Sequence, residues 1–95
     1  MTQKYILDFL SNHKEELNTK FSVTKIGLFG SYATNSANND SDIDIVIETT
    51  TKDFFLRDDL KEFLENKFKT AVDVGYLDSF RAFYRKRIEK EIIYV

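Results

Sequence analysis

Three aspartates stand where the neighbouring residues read as buried. In Asp42-Ile43-Asp44-Ile45-Val46-Ile47 the side chains of a strand alternate faces, so Ile43, Ile45 and Ile47 turn to a core while Asp42 and Asp44 share the other side. The strand rise sets their Cα atoms ~6–7 Å apart. Two like charges on one strand face repel, and aspartate is a poor strand former, so the pattern carries an electrostatic cost that a bound divalent cation would remove. Mg²⁺ takes oxygen ligands and is commonly held by one or two carboxylates plus substrate phosphates. A third carboxylate, Asp73, lies between Val72 and Val74 and by the same alternation faces away from both. If its strand pairs with the first, three carboxylates can support two metal ions about 3.5–4 Å apart, clamping the attacking and leaving oxygens of an in-line displacement. A lone D-x-D is more often the edge of an exposed sheet face, and that reading stays open on position alone.

The second chemical element is Phe29-Gly30-Ser31. A glycine that ends a strand lets the backbone approach a ligand, and a helix starting just after it directs N–H groups and a positive dipole end toward phosphate. Ser31 adds a hydroxyl. A Gly-Ser after a strand is otherwise an ordinary turn.

The elements that must position these groups follow from periodicity. Residues 2–19 place Tyr5, Ile6, Phe9, Leu10 and Leu17 near helical spacing, with Thr2 as N-cap, predicting one amphipathic helix in which His13 is a structural residue. Strands are predicted at 23–29, 42–48 and 71–76, with a short helix from Ser31 and a polar loop over 34–41. Helical spacing returns over 53–68, where Phe55, Leu56, Leu60, Phe63, Leu64 and Phe68 form the apolar face, capped by Thr51 or Asp53. Asp78 or Ser79 would cap a last helix to about Lys90, and 92–95 reads as a short final strand. The class is α/β or α+β, one domain over 1–95 with a mixed sheet of three or four strands flanked by helices. On the last helix Arg81, Arg85, Lys86 and Arg87 form a basic strip read as a solvated face; Tyr76, Tyr84 and Tyr94 are expected to pack.

Composition removes several functions. Fourteen basic against 16 acidic side chains give a net charge of −2, without the basic excess of a general nucleic-acid binder. There is no cysteine and one histidine, so a metal must sit on oxygens. No stretch approaches the roughly 18 apolar residues of a membrane span, and the expectation is a soluble cytoplasmic protein.

Gly30-Ser31, ten intervening residues, then Asp42-Ile43-Asp44 resemble the G-S-x₁₀-D-x-D pattern of the DNA polymerase β-like nucleotidyltransferase superfamily, with Asp73 in the place of its third acidic residue. The resemblance covers nearly the whole chain, including the ending Leu77-Asp78-Ser79-Phe80-Arg81 and Arg87-Ile88-Glu89-Lys90-Glu91. It is closest to the minimal nucleotidyltransferases, among them MntA-type antitoxins encoded beside HEPN-domain toxins. The resemblance implies that Asp42 and Asp44 hold Mg²⁺, that Asp73 completes the site and helps activate the acceptor hydroxyl, and that Gly30 and Ser31 grip the triphosphate of ATP. It further implies transfer of AMP to a tyrosine of a HEPN-domain toxin partner, within a hetero-complex or other oligomer. Many relatives continue Gly-Ser with Ala-Arg-Gly; this chain has Ala33-Thr34-Asn35, one cation fewer near the nucleotide or partner. Two other functions remain: a module that inhibits its partner only by covering it, and transfer to a small hydroxylated molecule. The second is disfavoured because such members carry an extra helical acceptor domain.

Overall fold

The computed structural model describes residues 1–95. Its elements run α1 (Gln3–Asn12), α2 (Lys14–Phe21), β1 (Val23–Phe29), α3 (Gly30–Ala33), β2 (Ile43–Thr49), α4 (Phe54–Phe68), β3 (Val72–Tyr76), a 3₁₀ turn (Leu77–Ser79), α5 (Ala82–Glu91) and β4 (Ile93–Tyr94). The four strands form one mixed sheet in the order β3-β2-β1-β4. β1 is antiparallel to β2 and to β4, and β2 is parallel to β3. This is the expected mixed sheet flanked by helices, and the tail does pair as a strand.

Alternation along the strands divides the sheet into two faces. Ile43, Ile45, Ile47, Val72, Tyr76, Ile26 and Leu28 bury one face against Ile6 and Leu10 of α1, Leu17 and Phe21 of α2, and Leu60, Leu64 and Phe68 of α4. The other face is thinner: Phe29 and Val46 meet Ile88 of α5, with Leu77, Phe80 and Ile92 around them. Asp44, Val46 and Glu48 alternate with the isoleucines, so Asp44 belongs to this second face. At roughly 25 cal/mol per Å² the large first face dominates folding, which leaves the second free to carry polar groups.

Local departures from the expected elements have local causes. The stretch 2–19 is two helices, because His13 leaves helical geometry at φ −111°, ψ 12°. Its ring stacks on Phe9 with centroids 3.9 Å apart, and its Nδ1 lies 2.7 Å from the Phe9 carbonyl oxygen. Thr2 caps α1, its Oγ1 accepting from the Tyr5 N–H at 3.1 Å. In α4 the buried stripe is Leu60, Leu64 and Phe68, continued by half-buried Leu56. Phe55 lies one residue off that stripe, about 100° around the helix, and is 84% exposed rather than part of the apolar face. Asp53, not Thr51, caps α4, accepting from the N–H groups of Phe55 and Leu56. Neither Asp78 nor Ser79 caps the last helix: both sit in the 3₁₀ turn, and Arg81 precedes α5. Phe80 between them is extended and lies edge-on to Phe29, with centroids 5.7 Å apart, which delays the helix. Of the three tyrosines only Tyr76 is buried; Tyr84 is 49% and Tyr94 38% exposed.

β4 seals the sheet edge against a residue with no side chain. A Cβ on Gly27 would stand 2.6 Å from Ile92 Cγ2 and 2.9 Å from Tyr94 Cδ1. Gly27→Ala is expected to destabilise the fold by about 1–3 kcal/mol through this overpacking. Chemical denaturation with unchanged m-value checks it, and wild-type stability would refute the close packing of β4 on β1.

Candidate active site

The sheet directions bring the chemistry to one end. Because β1 runs against β2 while β3 runs with it, the last residue of β1 and the second residues of β2 and β3 lie side by side: Phe29 opposite Asp44, and Asp44 opposite Asp73. Neighbouring strands stand about 4.8 Å apart, so the two carboxylates rise from adjacent backbones on one face. The start of β3 is tied down on both sides. Glu65 of α4 accepts from the Val72 N–H at 3.0 Å, and the Ala71 carbonyl accepts from the Ile43 N–H at 2.9 Å. Asp42 precedes β2 rather than lying in it, and it is exposed, as is Asp73. Asp44 alone of the three is half-buried.

That burial, with Asp73, Asp42 and Glu91 nearby, pushes the Asp44 carboxyl up to about 6. Desolvation is the largest cause, and the three acidic neighbours add to it. No group of three or more acidic or histidine side chains is placed to hold a metal ion together. The donor set nonetheless fits Mg²⁺: it is all oxygen, mutually repelling and open, and Mg²⁺ ordinarily draws its remaining ligands from phosphates and water.

Gly30 is required by geometry. Its φ is +73°, which glycine adopts without strain, and a Cβ there would collide with the Asp44 carboxylate. The strand-ending glycine and the half-buried carboxylate are therefore in direct contact, and Ser31 follows in α3. α3 has only four residues, too few to build an appreciable macrodipole.

A cleft of about 270 Å³ opens here, lined by Gly30, Ser31 and Thr34, by Asp44, and by Arg87 and Glu91 of α5. A second cleft adjoins it, lined by Asp44, Asp73, Gly75, Phe80 and Tyr84. Phe80 covers Gly75, where a Cβ would stand 3.1 Å from the ring. Asp42 lines neither cleft, although its charge reaches Asp44. A third cleft, about 210 Å³ at the opposite end of β2 and β3, holds Lys52, Asp78, Arg85 and Glu89. Its charges already pair, Lys52 with Asp78 at 2.8 Å and Arg85 with Glu89 at 3.8 Å, so the unpaired carboxylates direct the chemistry to the Gly30 end.

The model of the family described as the nucleotidyltransferase domain matches residues 10–95. The chain belongs to the nucleotidyltransferase domain family. It is 34% identical to protein adenylyltransferase MntA of Thermococcus cleftensis over 100% of this chain and 97% of that protein. A candidate protein adenylyltransferase of Methanocaldococcus jannaschii is 37% identical over 95% of this chain and 94% of the relative. A solved structure described as a candidate minimal nucleotidyltransferase shares the fold at TM-score 0.81 and 21% identity, covering 98% of this chain and 95% of that one. A toxin-antitoxin crystal structure with AMP-PNP aligns at TM-score 0.72 and 26% identity, covering 87% of this chain and 69% of that chain. The protein is thus a nucleotidyltransferase, an enzyme that takes a nucleoside triphosphate as substrate. No helix is long and apolar enough to cross a membrane.

For this nucleotidyltransferase the Thr34-Asn35 departure has a structural account. Asn35 has φ 58°, the left-handed region in which asparagine is tolerated almost as glycine is. The Thr34 hydroxyl hydrogen-bonds inward to the Gly30 and Ser31 carbonyls, both at 3.3 Å, and so closes the turn without supplying a cation. The sequence gives no sign that Glu91 approaches Asp44, or that Phe80 and Tyr84 wall the second cleft. These depend on how α5 crosses the sheet, which periodicity does not encode.

Proposed function

We propose that the protein is a Mg²⁺-dependent adenylyltransferase that acts as an antitoxin, moving AMP from ATP to a tyrosine hydroxyl of a partner HEPN-domain toxin. The observation that carries the reading is the register Asp44↔Asp73 beside Gly30, which sets two carboxylates against a backbone turn open to phosphate. The similarity to a protein adenylyltransferase supports the adenylyl group and a protein acceptor. Phe83, 86% exposed, lies on α5 next to half-exposed Tyr84, which lines both clefts, and this exposed aromatic surface favours a protein over a small acceptor.

In this reading Asp42, Asp44 and Asp73 would hold Mg²⁺, one ion or two. The metal would neutralise phosphate charge and polarise the α-phosphoryl group. Gly30 and Ser31 orient the triphosphate through backbone N–H and hydroxyl groups. The tyrosine oxygen attacks the α-phosphorus, the bond to the bridging oxygen of the β-phosphate breaks, and pyrophosphate leaves with the electron pair. Asp73, exposed on the edge strand β3, would take the hydroxyl proton. Positioning and charge neutralisation supply most of the acceleration.

Catalysis and simple covering differ in stoichiometry. With ATP and Mg²⁺, the protein at one-hundredth of an equivalent, roughly, is expected to silence its partner and add whole adenylyl masses to it, read by intact-mass spectrometry. Chelator should abolish both effects. Protection only at one equivalent, with the partner's mass unchanged, would reject the reading in favour of inhibition by covering.

A further inference from the structure

We infer that Arg87 binds the β- and γ-phosphates of the nucleotide and that Glu91 holds it near the cleft in the free protein, an assignment that rests on reading Gly30, Ser31 and Asp44 as the nucleotide site. The basic residues of α5 are not equivalent. Arg85 enters the far cleft with Asp78 and Glu89, whereas Arg87, next to buried Ile88, lines the Gly30 cleft. It is the only cation among the residues lining that cleft, which also contains Asp44 and Glu91. A triphosphate entering it meets negative charge unless a cation answers from the protein. Neither the single turn of α3 nor the inward-bonded Thr34 provides one.

Arg87 is also free to move. Its Nε stands 4.0 Å from Glu91, the outer limit of an ion pair, and its side chain is 73% exposed. A planar guanidinium can leave such a contact for bidentate bonds to phosphate oxygens. Beyond its weak i,i+4 contact with Arg87, Glu91 does little for the helix. It sits in the last turn of α5, where the macrodipole favours cations, and its charge adds to the repulsion around Asp44. Arg87 lines the Gly30 cleft but not the adjoining one lined by Asp73. With Asp73 assigned to the acceptor hydroxyl, Arg87 on the Gly30 side would meet the phosphates that depart as pyrophosphate, where negative charge grows as the α–β bond breaks.

The test is nucleotide binding in the presence of Mg²⁺, by calorimetry for ATP and by NMR titration for AMP. Arg87→Gln is expected to weaken ATP by about tenfold or more, Arg87→Lys to recover part of this, and both to leave AMP unchanged. Glu91→Gln is expected to tighten ATP about two- to fivefold, a change opposite in sign that general loosening of α5 would not produce. Arg85→Gln serves as the same-helix control and should match the wild type. ATP affinity unaltered in Arg87→Gln, or an equal loss for ATP and AMP, overturns the assignment while leaving the nucleotide site intact. A wild-type protein that binds neither nucleotide overturns the site and the assignment together.

Discussion

Asp44→Asn is expected to lower nucleotidyl transfer by at least about a thousandfold while leaving the metal-free protein as stable as the wild type or more so. The two effects have one cause. Asp44 is half-buried among Asp73, Asp42 and Glu91, and its carboxyl is raised from 3.8 to about 6. The folded state thus holds the proton more tightly than the unfolded chain does. Stability contributed through this group is greatest below about pH 4, falls as pH rises from there to about 6, and is level above. Solvent screening of a half-exposed carboxylate reduces the loss to roughly 1 kcal/mol. Asparagine removes the ionisation, so at pH 7 the variant should melt about 4–8 °C above the wild type, and the gap should close toward pH 4. Melts across that range, beside a transfer assay, measure both. A variant that melts well below the wild type at pH 7 would make Asp44 a structural residue and remove the basis for a metal site.

Gly30→Ala should be nearly as damaging to activity, by a different route. The substituted residue must hold φ +73°, which costs an alanine roughly 1–2 kcal/mol, and its Cβ must displace the Asp44 carboxylate. Moving a catalytic group by about 1 Å can cost a hundredfold in rate, so a loss of at least that size is expected even at temperatures where the variant is fully folded. Gly27→Ala is the informative contrast. It crowds β1 against Ile92 and Tyr94 and should reduce stability without a comparable loss of rate at low temperature. Equal activity losses in the two variants would mean that the Gly30–Asp44 contact has no special importance.

Much of the candidate site is legible in the sequence because it rests on short-range rules. Period-two alternation separates Ile43, Ile45 and Ile47 from Asp44, and the structure buries the isoleucines on the α1–α2–α4 side while Asp44 faces α5. A glycine after an apolar strand marks a special backbone, and Gly30 has one. Where local signals compete, periodicity is less sharp. Apolar spacing over 2–19 does not reveal the break at His13, since the apolar stripe continues across it. A phenylalanine in a helical window looks like core, yet Phe55 lies 100° off the buried stripe. Asp78 and Ser79 look like caps, but Phe80 must first reach Phe29 and Gly75, and the helix waits until Ala82.

By itself the sequence determined the strands, most of the helices and which side of β2 Asp44 takes, because each depends on residues within a few positions of one another; it placed Asp42 on that strand face as well, whereas β2 begins only at Ile43. Only the tertiary structure decided the pairing. Whether Asp73 stands beside Asp44 depends on β3 joining β2 in parallel at the register Asp44↔Asp73, where a slip of one residue would turn the carboxylate into the core. It also decided which basic residue of α5 meets the cleft. Arg85 and Arg87 are two positions apart and indistinguishable by composition, but two residues on a helix are about 200° of rotation. Ile88, buried against Phe29 and Val46, sets that rotation, sending Arg87 toward Gly30 and Arg85 toward Asp78.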